Sequence, residues 1–255
     1  MNITFISAVL PVLILLIFIY RKDKLQPEPL GKLIWVFIVG CLSTLPASLM
    51  EFVLGAFSPS HPVAGAIFNG YVVAGFSEEL CKLLLLLWVI WKSPYFDEYF
   101  DGIVYAVFLS LGFACLENIL YVFSSSDPMS IAFTRGLLAV PAHFLFAIIM
   151  GYHLSLAKFD TPNRRTHLFH ALLYPMLLHG TYDALLMVSD ALTKGGGDEE
   201  TIGVIVSGIL MLVFIVFDIL MWRWGMKRIK RLQERSKEQN FDRQHPFDGF
   251  KWDIL

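Results

Sequence analysis

Apolar residues in this chain come in long unbroken runs, and seven can be drawn at about 3–20, 33–57, 67–91, 102–123, 134–157, 167–190 and 202–222. A helix needs about 20 residues to cross the ~30 Å hydrocarbon core of a bilayer, so each run is close to or above that length. Proline, glycine and charged residues punctuate the joins. In lipid the backbone must satisfy its own hydrogen bonds, so the pattern predicts an all-α fold, a polytopic transmembrane helical bundle of about seven spans.

The loops orient the bundle. Arg21, Lys22, Lys24 and Lys32 follow the first run, Lys158, Arg164 and Arg165 the fifth, and Arg223, Lys227, Arg228, Lys230, Arg231 and Arg235 the seventh. Residues 58–66 hold no Lys or Arg, and 190–200 only Lys194. The positive-inside rule then puts the N-terminus outside and the C-terminus in the cytoplasm, with an odd number of spans. The third loop, with Lys92 against Asp97, Glu98 and Asp101, does not choose a side. No basic residue precedes the first run, the reverse of a cleavable signal peptide, so it is expected to remain as a membrane helix. Residues 1–225 form one bundle domain. A basic cytoplasmic tail over 226–255 is expected as a short helix and then flexible chain ending in Phe247, Phe250 and Trp252.

Composition agrees: 56% of residues are hydrophobic and 16% charged, with a mean hydropathy of +0.62. The net charge of -2 and the confinement of basic residues to short loops and the tail exclude a nucleic-acid groove. Cys41, Cys81 and Cys115 lie far apart in apolar runs, so they read as packing residues, with no disulfide framework.

Against this background the third run stands out, because Glu78, Glu79 and Lys82 lie inside it. Charge at membrane depth costs at least about 2.5–3.5 kcal/mol on insertion scales, which makes such residues functional candidates facing protein or a wet cavity. Counting about 1.5 Å per residue from the cytoplasmic end of each span gives a common depth. Glu78 and Glu79 come out at about 18–20 Å, Glu117 and Asn118 at about 22–24 Å, His143 at about 21 Å and His179 at about 18 Å. Asp183 lies one turn beyond His179. Lys82 shares a face with both glutamates, and Asp183 is placed to hold the His179 ring.

A layer of three glutamates, two histidines, an aspartate and an asparagine suits activation of water. Glu78 or Glu79 serves as general base, Lys82 tunes the pair, and His143, His179 and Asn118 supply donors to an oxyanion. The same set offers two histidines and a glutamate to zinc, although no HExxH is present. A proton-coupled transporter and a non-catalytic membrane scaffold are the other readings of buried acids and histidines. Glu51 is either a site member or a helix-pairing residue. Arg135 lies at the outer entrance of the fifth span. His153 is about 15 Å deeper than His143 and should not share the layer. His61, His167 and His170 read as solvated.

At these residues the sequence resembles the PrsW family of intramembrane proteases, within a superfamily that includes the CAAX-prenyl endopeptidases and CPBP proteins. Glu78-Glu79-Leu80-Cys81-Lys82 looks like the paired-glutamate motif and Phe113 to Asn118 like Phe-x-x-x-Glu-Asn. Pro141-Ala142-His143 is similar to the third motif, and His179 to Asp183 to His-x-x-x-Asp. The resemblance covers about 67–190. It implies hydrolysis of a membrane-anchored protein, anti-sigma-factor-like, near the extracytoplasmic side of a bacterial inner membrane. It also implies a glutamate-activated water with histidine and asparagine donors, with zinc left open. Glu117 stands where the prenyl-endopeptidase relatives carry histidine.

Overall fold

The computed structural model describes residues 3–194 and 198–244, and these are helical apart from short joins, with no strand among them. Helices α1 (Ile3–Lys22) and α2 (Leu30–Gly55) come first, joined by the 23–29 loop. A continuous helical run follows, made of α3 (Pro62–Phe68), a π-helical stretch (Asn69–Phe76) and α4 (Ser77–Ile90). Then come α5 (Asp101–Ser124), α6 (Pro128–Leu137), α7 (Ala139–Phe159), α8 (Arg164–Thr193) and α9 (Asp198–Gln244).

Among the described residues six stretches are long and apolar enough to cross a membrane: Ile3–Lys22, Leu30–Gly55, Asp101–Ser124, Pro128–Phe159, Thr161–Thr193 and Thr201–Gln244. The expected span at 67–91 is not one of them. It is built as three successive helical pieces, and α4, which carries the charges, is only 14 residues long. The π turns keep backbone amides bonded, as an apolar surrounding demands, while widening the helix just ahead of Glu78.

Helices α5 and α7 are the centre of the bundle. Every residue from Asp101 to Cys115 and from Ala142 to Ala157 is buried. They can approach because Gly102 faces Gly151: a Cβ on Gly151 would lie 2.3 Å from the Gly102 carbonyl oxygen. Small residues allow backbones this close, and close backbones maximise dispersion contact where lipid offers no hydrophobic drive. The outward sides of α2 and α9 expose Leu45, Leu49, Phe52, Ile209 and Leu212, as expected of lipid-facing surface. A second close contact sets the site. A Cβ on Gly180 of α8 would meet the Tyr71 ring at 2.3 Å, so the π stretch lies directly on the α8 backbone beside His179.

The backbone is helical straight across 225/226, where the basic tail was expected to begin as a short helix. Helix α9 runs through it for 47 residues. Beyond the bundle it holds the 91–100 stretch: Phe100 N–H donates to Ser236 Oγ (2.9 Å), and Arg243 Nη2 donates to the Asp97 carbonyl (2.6 Å). Phe247, Phe250 and Trp252 lie outside the described residues.

Candidate active site

The first turn of α4 delivers Glu78 and Glu79, and Lys82 follows one turn later on the same side. Helix α5 brings Glu117, α7 brings His143, and α8 brings His179 and Asp183. At the centre is the Lys82 ammonium, which is fully buried. Its Nζ lies 2.9 Å from Glu78 Oε2, 2.9 Å from Glu79 Oε1 and 3.1 Å from His143 Nδ1. An ammonium has three donors, and all three are used. Its charge also rests 4.0 Å from the centre of the Phe113 ring, a cation–π contact on the remaining side.

Two arms extend from this centre. Because His143 Nδ1 faces the ammonium, it is the acceptor, and Nε2–H donates to Glu117 Oε2 at 3.0 Å. The same carboxylate oxygen takes Arg135 Nη2 at 2.7 Å. In the other arm His179 Nδ1 lies 3.0 Å from Glu79 Oε1, and its Nε2 3.3 Å from Asp183 Oδ2. Both ring nitrogens thus face carboxylates, an arrangement that an imidazolium satisfies in full. Phe146 stacks on the His179 ring at 4.8 Å, fixing its plane.

A cavity of about 730 Å³ borders this network. Glu78, Glu117, His143, His179 and Asp183 line it, whereas Glu79 does not. Its rim carries the exposed residues Ser48, Tyr121 and Thr134. It therefore opens toward the end of the bundle that bears the 56–61 and 125–127 loops.

The structure brings together Glu78, Glu79, Lys82, Glu117, His143, His179 and Asp183. Asn118 is the exception and is corrected here as an oxyanion donor. Its Nδ2 donates to the Ala8 carbonyl (2.7 Å), its Oδ1 accepts from Arg135 Nε (3.1 Å), and it is absent from the cavity wall. Consecutive helical residues point about 100° apart, and here that step turns Asn118 toward α1 and Arg135 while Glu117 faces the cavity. Arg135 and Glu51 both line it. The signal for Arg135 was its position at the span entrance, but sequence spacing gave no partner. The expectation of solvated histidines is also corrected: His167 and His170 are only partly exposed and gather around buried His153.

A multi-helix membrane fold with carboxylates, imidazoles and a lysine around an open polar cavity defines a membrane protein equipped for acid–base chemistry. Residues 28–220 match the family described as PrsW family intramembrane metalloprotease, and the chain belongs to the PrsW family. It is similar to Protease PrsW of Clostridioides difficile (strain 630), 34% identical over 241 residues, which is 93% of this chain and 94% of the relative. It is similar also to Protease PrsW of Oceanobacillus iheyensis, 34% identical over 230 residues (90% and 96%). For Protease PrsW of Bacillus subtilis (strain 168) the figures are 32% over 234 residues (91% and 97%). No solved structure matches.

The family description names a metal, and Glu78, Glu79, His143 and His179 each offer one ligand atom within 4.8 Å of the others. Donor type and separation suit zinc. The point on which three of these residues converge, however, belongs to Lys82 Nζ at 2.9–3.1 Å. An ammonium and a zinc ion repel and cannot share that point, so a metal does not fit there while Lys82 holds it.

Proposed function

We propose that this protein is an intramembrane endopeptidase in which Glu78 is the general base. The observation that carries this is the asymmetry of the pair: Glu78 lines the cavity, whereas Glu79 is sealed between Lys82 and His179. Glu78 takes a proton from a cavity water as its oxygen adds to the scissile carbonyl. Lys82 keeps Glu78 oriented and compensates the buried charge. His143 and Arg135, which share Glu117 at rest, face the same cavity and donate to the oxyanion when a substrate carbonyl competes for them. His179, held by Asp183 and Glu79, gives a proton to the leaving nitrogen as the C–N bond breaks. Products are a carboxylic acid and an amine.

The substrate class is a single-span or membrane-proximal protein, anti-sigma-factor-like, because the cavity is entered from within the bundle at one end. With the N-terminus outside, that end is extracytoplasmic, and the membrane is a bacterial inner membrane. The relatives' name, Protease PrsW, supports proteolysis as the reaction.

The test is cleavage of a tagged library of membrane-anchored peptides by the full chain in proteoliposomes. Wild type is expected to yield defined peptide products, and a Glu78→Gln/Glu79→Gln double variant none. Undiminished cleavage by the double variant overturns the mechanism.

A further inference from the structure

Four carboxylates collect at the other end of the bundle, away from the cavity and sharing no residue with it. Asp23 and Glu28 come from the loop between α1 and α2, Glu98 from the stretch before α5, and Asp101 from the first turn of α5. All are buried, with exposures of 4%, 5%, 1% and 0%. One oxygen from each of Asp23, Glu98 and Asp101 lies within 4.8 Å of the other two.

The hydrogen bonds they accept are all from neutral groups. Asp23 Oδ2 accepts from the Glu28 amide (3.0 Å). Asp101 Oδ2 accepts from the Asp97 (3.0 Å) and Glu98 (2.7 Å) amides. Glu28 accepts from the Tyr105 hydroxyl, and Glu98 Oε2 from Asn240 Nδ2 at 3.0 Å. Among the described residues no Lys or Arg forms an ion pair with any of the four; Arg243 pairs with Asp97 instead. Two oxygens, Asp23 Oδ1 and Asp101 Oδ1, are buried and accept no hydrogen bond.

Buried carboxylates without a counter-charge are strongly unfavourable, so something must neutralise them. The orphaned oxygens belong to the same residues whose ligand atoms converge, which is what a cation between them requires. We propose that Asp23, Glu98 and Asp101, with Glu28 beside them, form a binding site for a hard divalent cation, Ca²⁺ or Mg²⁺. An all-oxygen donor set selects hard cations over zinc or copper. Opposite ligands of Ca²⁺ lie about 4.6–5.2 Å apart and those of Mg²⁺ about 4.0–4.2 Å, so oxygens within 4.8 Å of one another are compatible with either ion. The ion ties the first loop to the start of the central helix and, through Asn240, to α9.

The experiment uses the full chain, stripped with EDTA in detergent at pH 7.5. Titration with Ca²⁺ and with Mg²⁺ is followed by thermal unfolding and calorimetry, with K⁺ at matched ionic strength as control. A saturable rise in Tm with at least one divalent cation is expected. Glu98→Gln, which keeps the acceptor for Asn240, and Asp23→Asn, which keeps that for the Glu28 amide, should each weaken affinity at least about tenfold. A readout independent of the variants' folding is terbium luminescence in the wild type, sensitised through Tyr105 and quenched by Ca²⁺ or Mg²⁺. No binding heat, no Tm response and no sensitised emission would overturn the proposal, as would unchanged affinity in both variants.

Discussion

Glu78 and Glu79 are neighbours in sequence, yet their environments predict opposite consequences for the same substitution. Glu79 is fully buried and accepts from Lys82 at 2.9 Å and His179 at 3.0 Å. A charge-assisted hydrogen bond contributes about 1.5–3 kcal/mol, and breaking a buried ion pair costs about 3–5 kcal/mol. Glu79→Gln should therefore lower unfolding free energy by about 3–5 kcal/mol, a large share of a typical ~5–15 kcal/mol. Glu78 has one close partner, Lys82 at 2.9 Å, with His179 Nδ1 farther away at 4.0 Å. Because it borders the cavity, water can reach the substituted amide, and Glu78→Gln should cost about 1–2 kcal/mol. Turnover should behave the other way. Removing a general base lowers rate by about 10²–10⁴, equivalent to about 3–5 kcal/mol of transition-state stabilisation. Chemical unfolding in detergent and initial rates in proteoliposomes measure the two quantities on the same preparations. A fully stable but inactive Glu79→Gln, or a Glu78→Gln with wild-type rate, would refute the assignment.

Lys82→Met leaves adjacent buried carboxylates without their shared counter-charge, and a loss of about 3–5 kcal/mol is expected in the same unfolding assay. Gly180→Leu drives a side chain into Tyr71, and overpacking of this kind should cost about 1–3 kcal/mol in thermal unfolding while displacing His179 enough to slow cleavage. Because Lys82 fills the convergence point of the donors, cleavage should survive zinc chelators and metal analysis should find no stoichiometric zinc at the cavity; chelator-sensitive activity restored only by zinc would contradict this. In EDTA the acid cluster makes stability depend on pH. Asp23, Glu28 and Glu98 hold protons more tightly folded than unfolded. Their contribution is thus complete below about pH 4 and lost as pH rises through about 7. Asp97, Asp101, Tyr105 and Arg243 surround them. Tm measured against pH with and without Ca²⁺ or Mg²⁺ reads this slope.

Much of the site was legible because helix geometry is regular. Equal depth along four apolar runs was enough to bring Glu78, Glu117, His143 and His179 within one network, and one-turn spacing placed Lys82 and Asp183 correctly. Depth carries no information about azimuth, though. Asn118 turns away from the cavity for that reason, and depth alone left open which of Glu78 and Glu79 borders it. Arg135 escaped because its partner depends on how α6 meets α7, a join that no periodicity encodes. The π turns before Glu78 have no clear sequence mark beyond Gly70 and Gly75. His167 and His170 looked solvated because each was weighed alone, whereas the packing of α8 on α7 turns both toward His153. At residue 226 the change from apolar to basic composition suggested a boundary. Helix propensity is high on both sides of it, and the backbone continues unbroken.

That continuity has a mechanical meaning. At about 1.5 Å per residue, α9 is a rod roughly 70 Å long without a proline hinge. Part of it lies among lipid-facing residues, and part grips the stretch just ahead of the central helix through Ser236, Gln239 and Arg243. The same rod therefore spans from the lipid-facing surface to the foot of α5, and on the way it rests against the cavity wall, where Phe214 packs on Tyr182 at 4.9 Å.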